Sequence, residues 1–321
     1  MTDWKPGASV DTLHQRSSLL TKIRTFFKNR NVLEVETPSI SQYPTIDLHL
    51  ESFSVNTNES ERLRYLITSP EYHMKRLISA GSGSIFQICK AFRCDETGRN
   101  HNPEFTILEW YRVGWDHWRL MSEIELLLDL LLNSGPADYL SYCDAFQQFL
   151  DINPLLISQE QFLSICGKHG LLPPACLESE SVARDEWLNY LMGFLIEPNL
   201  GKEHPVFIYD YPATQANLAR IHEDNPSLAL RFEVYYRGIE LGNGFYELTD
   251  AKAQEKRFKD ENQIRIRSGK EGLPIDNLFL SALEKGMPEC SGVAMGVDRI
   301  IMLALGKTSI EEVITFNWPK S

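Results

Sequence analysis

No apolar run in this sequence reaches the length of a membrane span, and the opening residues Met1-Thr2-Asp3-Trp4-Lys5-Pro6 lack the apolar stretch of a secretory signal. These absences speak against a membrane helix and predict a cytoplasmic protein with no membrane partner. Cysteine is sparse and unpatterned. The six, at positions 89, 94, 143, 166, 176 and 290, contain no C-x-x-C pair, which argues against disulfides and zinc and predicts reduced packing thiols. There is no internal repeat, no low-complexity tract and no linker dividing the chain, so residues 1–321 read as one large domain. A basic stripe is missing too. The 44 acidic residues outnumber 32 basic ones for a net charge of -12, so an RNA partner is not expected. What remains, 43% hydrophobic and 24% charged, is the composition of a globular chain.

The densest chemistry lies between Ile85 and Val113. By the period of two, Ile85, Gln87, Cys89, Ala91 and Arg93 share one face of a strand, and Phe86, Ile88 and Phe92 the other. A charged loop from Cys94 to Glu104 holds Gly98, His101, Asn102 and Pro103. Phe105, Ile107, Glu109 and Tyr111 then share a face of a second strand. The antiparallel strand-loop-strand unit so formed offers a cation, an aromatic ring, a carboxylate and a phenol on one side. That set suits an anionic, base-containing ligand beside an amine. On spacing alone, a sheet with ordinary surface charges fits equally well.

Elsewhere the pattern predicts a helix from Asp11 to Arg30, then a short strand Val32 to Thr37 closed by Pro38. A strand is expected over 46–55, a polar turn over 56–62 and a strand over 65–68, followed by Ser69-Pro70-Glu71 leading a helix over 72–80. A helix over 116–132 is core, and the best helix between 133 and 202 runs from Ser179 to Phe194. Val206 to Tyr211 is a buried-type strand. Arg231 to Tyr236 and Ile239 to Leu241 flank Arg237-Gly238, a two-residue hairpin loop. In that register Tyr235 faces Glu240 and Glu233 faces Gly242, leaving Glu233 and Glu240 as diagonal neighbours. Two carboxylates there call for a cation, with magnesium the natural candidate and separate solvation the plainer reading. A bulge at Gly242-Asn243-Gly244 would bring Glu247 to the face of Glu240.

The residues Phe92-Arg93-Cys94-Asp95, Arg99, His101 to Thr106 and Leu108-Glu109-Trp110-Tyr111 resemble motif 2 of the class II aminoacyl-tRNA synthetases, in the lysyl-tRNA synthetase branch. The helix, strand and proline over 11–38 resemble motif 1, which implies a homodimer. Ser291-Gly292-Val293-Ala294-Met295-Gly296-Val297-Asp298-Arg299, within 290–305, resembles motif 3, and Glu240 to Leu248 resembles the segment that supplies magnesium and lysine contacts. The resemblance implies an α+β class II synthetase fold, a mostly antiparallel sheet flanked by helices. It implies ATP and Mg2+ as co-substrate and cofactor, and activation of a carboxylate at the α-phosphate of ATP.

By the same resemblance, Arg93 would be catalytic, contacting carboxylate and α-phosphate. Phe105 would stack on adenine. Cys94, Asp95, His101, Asn102, Leu241, Gly296 and Arg299 would complete the ATP site. Glu233 and Glu240 would hold the metal, Glu240 reaching the ATP site through it. Ser69, Pro70, Glu71, Glu109, Tyr111, Asn243, Glu247 and Ala294 would surround a substrate with two amino groups.

Lysyl-tRNA synthetases carry an N-terminal OB-fold for the anticodon, whereas here the first catalytic helix stands near the first residue. No such domain is expected, and tRNA is not the expected acceptor. The reduced architecture resembles the elongation factor P lysine ligase family, which implies (R)-β-lysine as substrate and a lysine side chain of that factor as acceptor. Ser69 and Ala294 stand where lysyl-tRNA synthetases usually have alanine and glycine. The added bulk would favour an amino group moved one carbon along, with discrimination of about 10- to 200-fold. Asp95 replaces a usual glutamate. The competing readings are a truncated lysyl-tRNA synthetase and a catalytically silent lysine sensor.

Overall fold

The computed structural model describes residues 4–57, 63–94, 96–178 and 183–321. The turn expected over 56–62 and the start of the helix expected at Ser179 lie largely outside them. The chain divides into two compact units, one of residues 1–133 and 247–321, the other of residues 134–246.

The first unit is built on the strands Ile85–Phe92, Glu104–Val113 and Cys290–Gly296, paired antiparallel in that order, with Leu33–Glu34 parallel to the outer edge of the first. Ile85 pairs with Tyr111 and Tyr111 with Gly292; Gln87 pairs with Glu109 and Glu109 with Ala294. Partners across a ladder share a face, so the sheet has the two faces that alternation predicts. On one face Phe86, Leu108, Trp110, Val293 and Met295 are buried. The helix Val10–Lys28 lies against them through Phe27, whose ring stacks on Phe86 at 4.6 Å and meets Trp110 at 5.1 Å. Ser9 caps this helix by accepting from Thr12 N. The helix His117–Leu132, capped by Asp116, joins the same face, with Glu123 accepting from Trp110 Nε1. The opposite face is met by the helices Glu71–Ser79 and Asn277–Gly286, whose Tyr72 and Phe279 rings stack at 4.8 Å.

A small sheet, Ile40–Ser41, Arg64–Leu66 and Ser54–Val55, precedes the helix Glu71–Ser79. The strand expected over 46–55 is therefore confined to its last two residues. Asp47 is the reason: its carboxylate accepts from the backbone of His49 and Leu50, turning the chain where alternation alone would extend it.

The second unit pairs Asp138–Ser141 parallel to Val206–Pro212, and Val206–Pro212, Leu228–Tyr236 and Ile239–Tyr246 antiparallel. Arg237 and Gly238, with φ of 53° and 70°, make the expected two-residue turn, whose left-handed backbone matches strand twist. The helix Arg184–Leu191 continues as a π-helical turn, Met192–Ile196. Phe146, Phe162, Trp187, Leu188 and Ile208 form the core of this unit.

Candidate active site

The face of the first unit's sheet that carries Glu109 and Tyr111 gathers a cluster of buried charge. Glu109 is 1% exposed; its Oε1 accepts from Tyr111 Oη and its Oε2 from Ser69 Oγ, both at 2.6 Å. Ser69 Oγ also accepts from Glu71 N at 3.0 Å, so the turn before the helix is tied to the strand by one hydroxyl. Pro70 is the N-cap residue of that helix, and Glu71 lies in its first turn, a favourable place for a carboxylate. One turn on, the wholly buried Lys75 reaches both Glu71 Oε1 (2.5 Å) and Glu247 Oε2 (2.6 Å). Glu247 is 1% exposed, and its Oε1 has no hydrogen-bond partner among the described residues.

Three carboxylates thus crowd around one buried ammonium, two of them buried and Glu71 partly exposed. Burial, and then the charge of Glu71, raises Glu109 to about 7. Burial raises Glu247 to about 8 despite the opposing pull of Lys75. Burial alone would lower Lys75, but Glu247 and Glu71 hold it above the ordinary lysine value. Ala294, cross-strand partner of Glu109, and Ser69, its hydrogen-bond donor, both stand at this carboxylate.

Gly292 is a residue that sequence reasoning passed over. A Cβ there would lie 2.3 Å from Tyr111 Cε1 and 2.5 Å from Glu247 Oε1, so only glycine lets these two side chains converge over the strand. Lys75 was passed over as well. Its signal was the spacing from Glu71 within the stripe of Met74 and Ile78, where a surface lysine has no place.

Further along the same face, Arg93 follows the end of its strand and donates its backbone N–H to Pro103 O. Its guanidinium lies 5.0 Å from the Phe105 ring centroid and 3.5 Å from Glu96, and its Nε has no partner among the described residues. His101 Nε2 is 2.6 Å from Arg299 Nη2, and burial, then Arg299, lowers the imidazole's pKa. Arg299 also donates to Asn100 O. Gly296 caps the helix Val297–Ala304, and a Cβ on it would meet only the Arg299 side chain, at 3.6 Å or more. Asn102 is committed to structure: its amide donates to Glu104 O and accepts from Trp318 N. Cys94 donates its N–H to Glu51 O. Asp95 lies outside the described residues.

Glu233, Glu240, Leu241 and Asn243 belong to the second unit. Glu240 pairs with Tyr235 as expected. Glu233, however, faces Asn243 and not Gly242, because the bulge falls between Glu240 and Gly242, earlier than Gly242-Asn243-Gly244 suggested. The extra residue is the buried Leu241, and it shifts the face of every residue after it, Asn243 included. The cation beside Glu233 is a side chain of its own strand: Arg231 pairs with Oε1, while Tyr211 and Tyr235 donate to Oε2. Arg231 also donates to Asn243 Oδ1. Three donors leave a carboxylate one lone-pair direction. Together with Glu240 on the same face, that suits Mg2+, which takes one or two carboxylates and otherwise keeps waters or phosphate oxygens. No group of three His, Cys, Asp or Glu that could hold a metal occurs among the described residues.

A family model for class II tRNA synthetases (D, K and N) matches residues 2–320. The chain belongs to this family. It is 50% identical to the elongation factor P--(R)-beta-lysine ligases of Klebsiella pneumoniae and Salmonella arizonae, over 98% of this chain and 97% of each relative. The Salmonella heidelberg protein of the same name is 49% identical over the same shares. The chain is accordingly a ligase of class II synthetase type. Its described residues contain no helix long and apolar enough to cross a membrane.

Proposed function

We propose that this ligase, acting in the cytoplasm, activates (R)-β-lysine, and α-lysine less well, and transfers it to the side-chain amine of a lysine on translation elongation factor P. The observation that carries the reading is the cluster of Glu71 with the buried Glu109 and Glu247 around a single buried lysine. It is an acceptor for a substrate bearing two ammonium groups, and the names of the relatives support the acceptor protein.

A substrate carboxylate oxygen attacks the α-phosphorus of ATP, the bond to the pyrophosphate oxygen breaks, and the aminoacyl-adenylate forms. The acceptor amine then attacks the carbonyl, AMP leaves with the bonding pair, and an amide results. Arg93 takes the charge that develops on the phosphate oxygens; its unpartnered Nε and its place over Phe105 support that role. Adenine stacks on Phe105 with Asp95 as an adenine-side contact, and Arg299, oriented by His101, binds the phosphates beside Gly296, with Cys94 and Asn102 shaping the loop. Glu233 and Glu240 hold Mg2+, which neutralises phosphate charge when bound. Glu71, Tyr111, Asn243 and Glu247 read the substrate's two amino groups, with Glu109 supporting them.

The two units work as one catalytic domain, a reading supported by the single family match that runs through both. Two copies associate through motif 1, a reading supported by the exposed Val10 and Leu33 at its helix and strand. The test is the intact mass of elongation factor P after incubation with the protein, ATP, Mg2+ and (R)-β-lysine, with tRNA charging assayed alongside. A gain of one lysyl residue on the factor is expected. Charged tRNA without that gain would make this a minimal tRNA synthetase.

A further inference from the structure

The proposed reaction leaves a buried charged group at its own site without a role. Lys75 is wholly shielded from solvent, with the rings of Tyr111 and Phe279 each centred 6.0 Å from Nζ. Burying an ammonium is costly unless its partners are fixed. One of them, Glu71, is fixed by the Lys75 helix itself, since the pair is spaced i,i+4. The other, Glu247, comes from a distant part of the chain and is held by Lys75 at one oxygen only. Its second oxygen, Oε1, is buried and unpartnered, and faces the stretch of strand that Gly292 leaves bare. An orphaned buried acceptor calls for a donor from outside the chain, and here it opens onto the side of the strand where a ligand amine would sit. Charge points the same way. Glu71, Glu109 and Glu247 against Lys75 leave two negative charges when all are ionised, one for each ammonium of a diamino acid.

We propose that Lys75 is a positioning and specificity residue: it grips Glu247 through Oε2 so that Oε1 meets the substrate's distal ammonium, and it sets the pocket's charge to match a diamino acid. The inference rests on the activity proposed above and deepens it. Glu71, Glu109 and Tyr111 are the titratable groups that face the pair from the adjoining strand and helix. Burial raises Glu247 and Lys75 opposes the rise, so removing Lys75 would push the carboxyl further up and leave a smaller ionised share at neutral pH to bind a cation.

The test compares Lys75→Met, Glu247→Gln and the double variant with the unmodified protein at pH 7 and pH 9. Its readouts are α-lysine binding by calorimetry and α-lysine-dependent ATP–pyrophosphate exchange, with thermal unfolding as the control for folding. Lys75→Met is expected to raise KM at pH 7 by about tenfold or more, with kcat within about threefold of the unmodified enzyme. The defect shrinks at pH 9 as Glu247 ionises. In the Glu247→Gln background, removing Lys75 should raise KM by less than about threefold further, because its effect passes through Glu247.

An unchanged KM, or a loss equal at both pH values and in both backgrounds, overturns the inference in favour of packing alone. If Lys75→Met does not fold, the double variant, which removes the buried charges as a pair, decides: a further loss of about tenfold beyond Glu247→Gln overturns the inference. Unmodified protein that binds α-lysine or (R)-β-lysine but supports exchange with neither overturns the proposed activity, and Lys75 is then judged from the affinities. Unmodified protein that binds neither amino acid overturns both.

Discussion

Arg16 and Asp298, from opposite ends of the chain, form an ion pair with Nη1 2.7 Å from Oδ1. The other carboxylate oxygen accepts from Thr106 N at 2.8 Å, and Arg16 Nη2 donates to Thr106 Oγ1 at 2.9 Å. One carboxylate, 3% exposed, thereby fastens the motif 1 helix to the motif 2 strand and to the start of the helix that bears Arg299. Asp298→Asn leaves Arg16 without its charge partner and should cost about 3 kcal/mol of stability. Denaturant unfolding measures this directly, and an unchanged midpoint would show that the tie carries no stability.

Gly292→Ala tests how tightly the amine site is built. The new methyl would need the space now held by Tyr111 and Glu247, neither of which has room to retreat within its buried surroundings. Overpacking of this kind costs about 1 to 3 kcal/mol, and here it also displaces a substrate contact. The expected outcome is a folded protein with a lowered melting temperature and lysine-dependent ATP–pyrophosphate exchange reduced by about tenfold or more. Exchange at the unmodified rate would place the substrate elsewhere.

Lysine binding should strengthen with pH. With Glu109 raised to about 7 and Glu247 to about 8, both chiefly by burial, acid solution leaves these acceptors neutral. The KM for lysine should fall as pH rises from 6 to 8, by about tenfold for each group that must lose a proton. A KM flat across this range would contradict the assignment.

Stability runs the other way. Both folded values lie above the ordinary carboxylate value of 4.5, so the folded protein holds more protons than the unfolded chain between about 4.5 and 8. The contribution of these groups is complete below that window and is lost as pH rises through it. Thermal unfolding of the unliganded protein and of Glu247→Gln at pH 5.5 and 8 isolates the effect. The unmodified protein should lose more stability than the variant, and equal losses would disprove it.

Ala294→Gly should improve the use of α-lysine relative to (R)-β-lysine. Ala294 pairs with Glu109 across the strands, so its methyl occupies the floor beside the carboxylate that Ser69 also holds. Removing one methyl-sized group is expected to shift the ratio of kcat/KM values by about 10- to 200-fold. Competition between the two amino acids in the adenylation assay reads the ratio, and no change would remove the steric account.

The motif 2 hairpin was legible because alternation and pairing are local: Ile85, Gln87 and Cys89 against Ile107, Glu109 and Tyr111 follow from a period of two. The Arg237-Gly238 turn was legible for the same reason. The strand over 46–55 was misread because the side chain of Asp47 overrides an apolar pattern, and the bulge at Leu241 because several adjacent positions could absorb the extra residue. The pairing of Arg231 with Glu233 was not legible because the two lie two residues apart on one strand, where alternation shows a shared face but not which charges pair. Lys75 and Asp298 were missed because a lysine on a helix and an aspartate at a helix start read as solvent-facing or capping groups.

The sequence by itself determined the first helix, the motif 2 strands, the Arg237-Gly238 turn, the order of the three motifs, and the face that Glu109 and Tyr111 share, since all of these depend on near neighbours along the chain. Only the tertiary structure decided which charges lose their water. Lys75 becomes the hub of Glu71 and Glu247, and Gly292 becomes indispensable, once distant segments pack over the same few strand residues. Desolvation and charge pairing act through space, so their consequences for Glu109 and Glu247 appear only when the chain is folded.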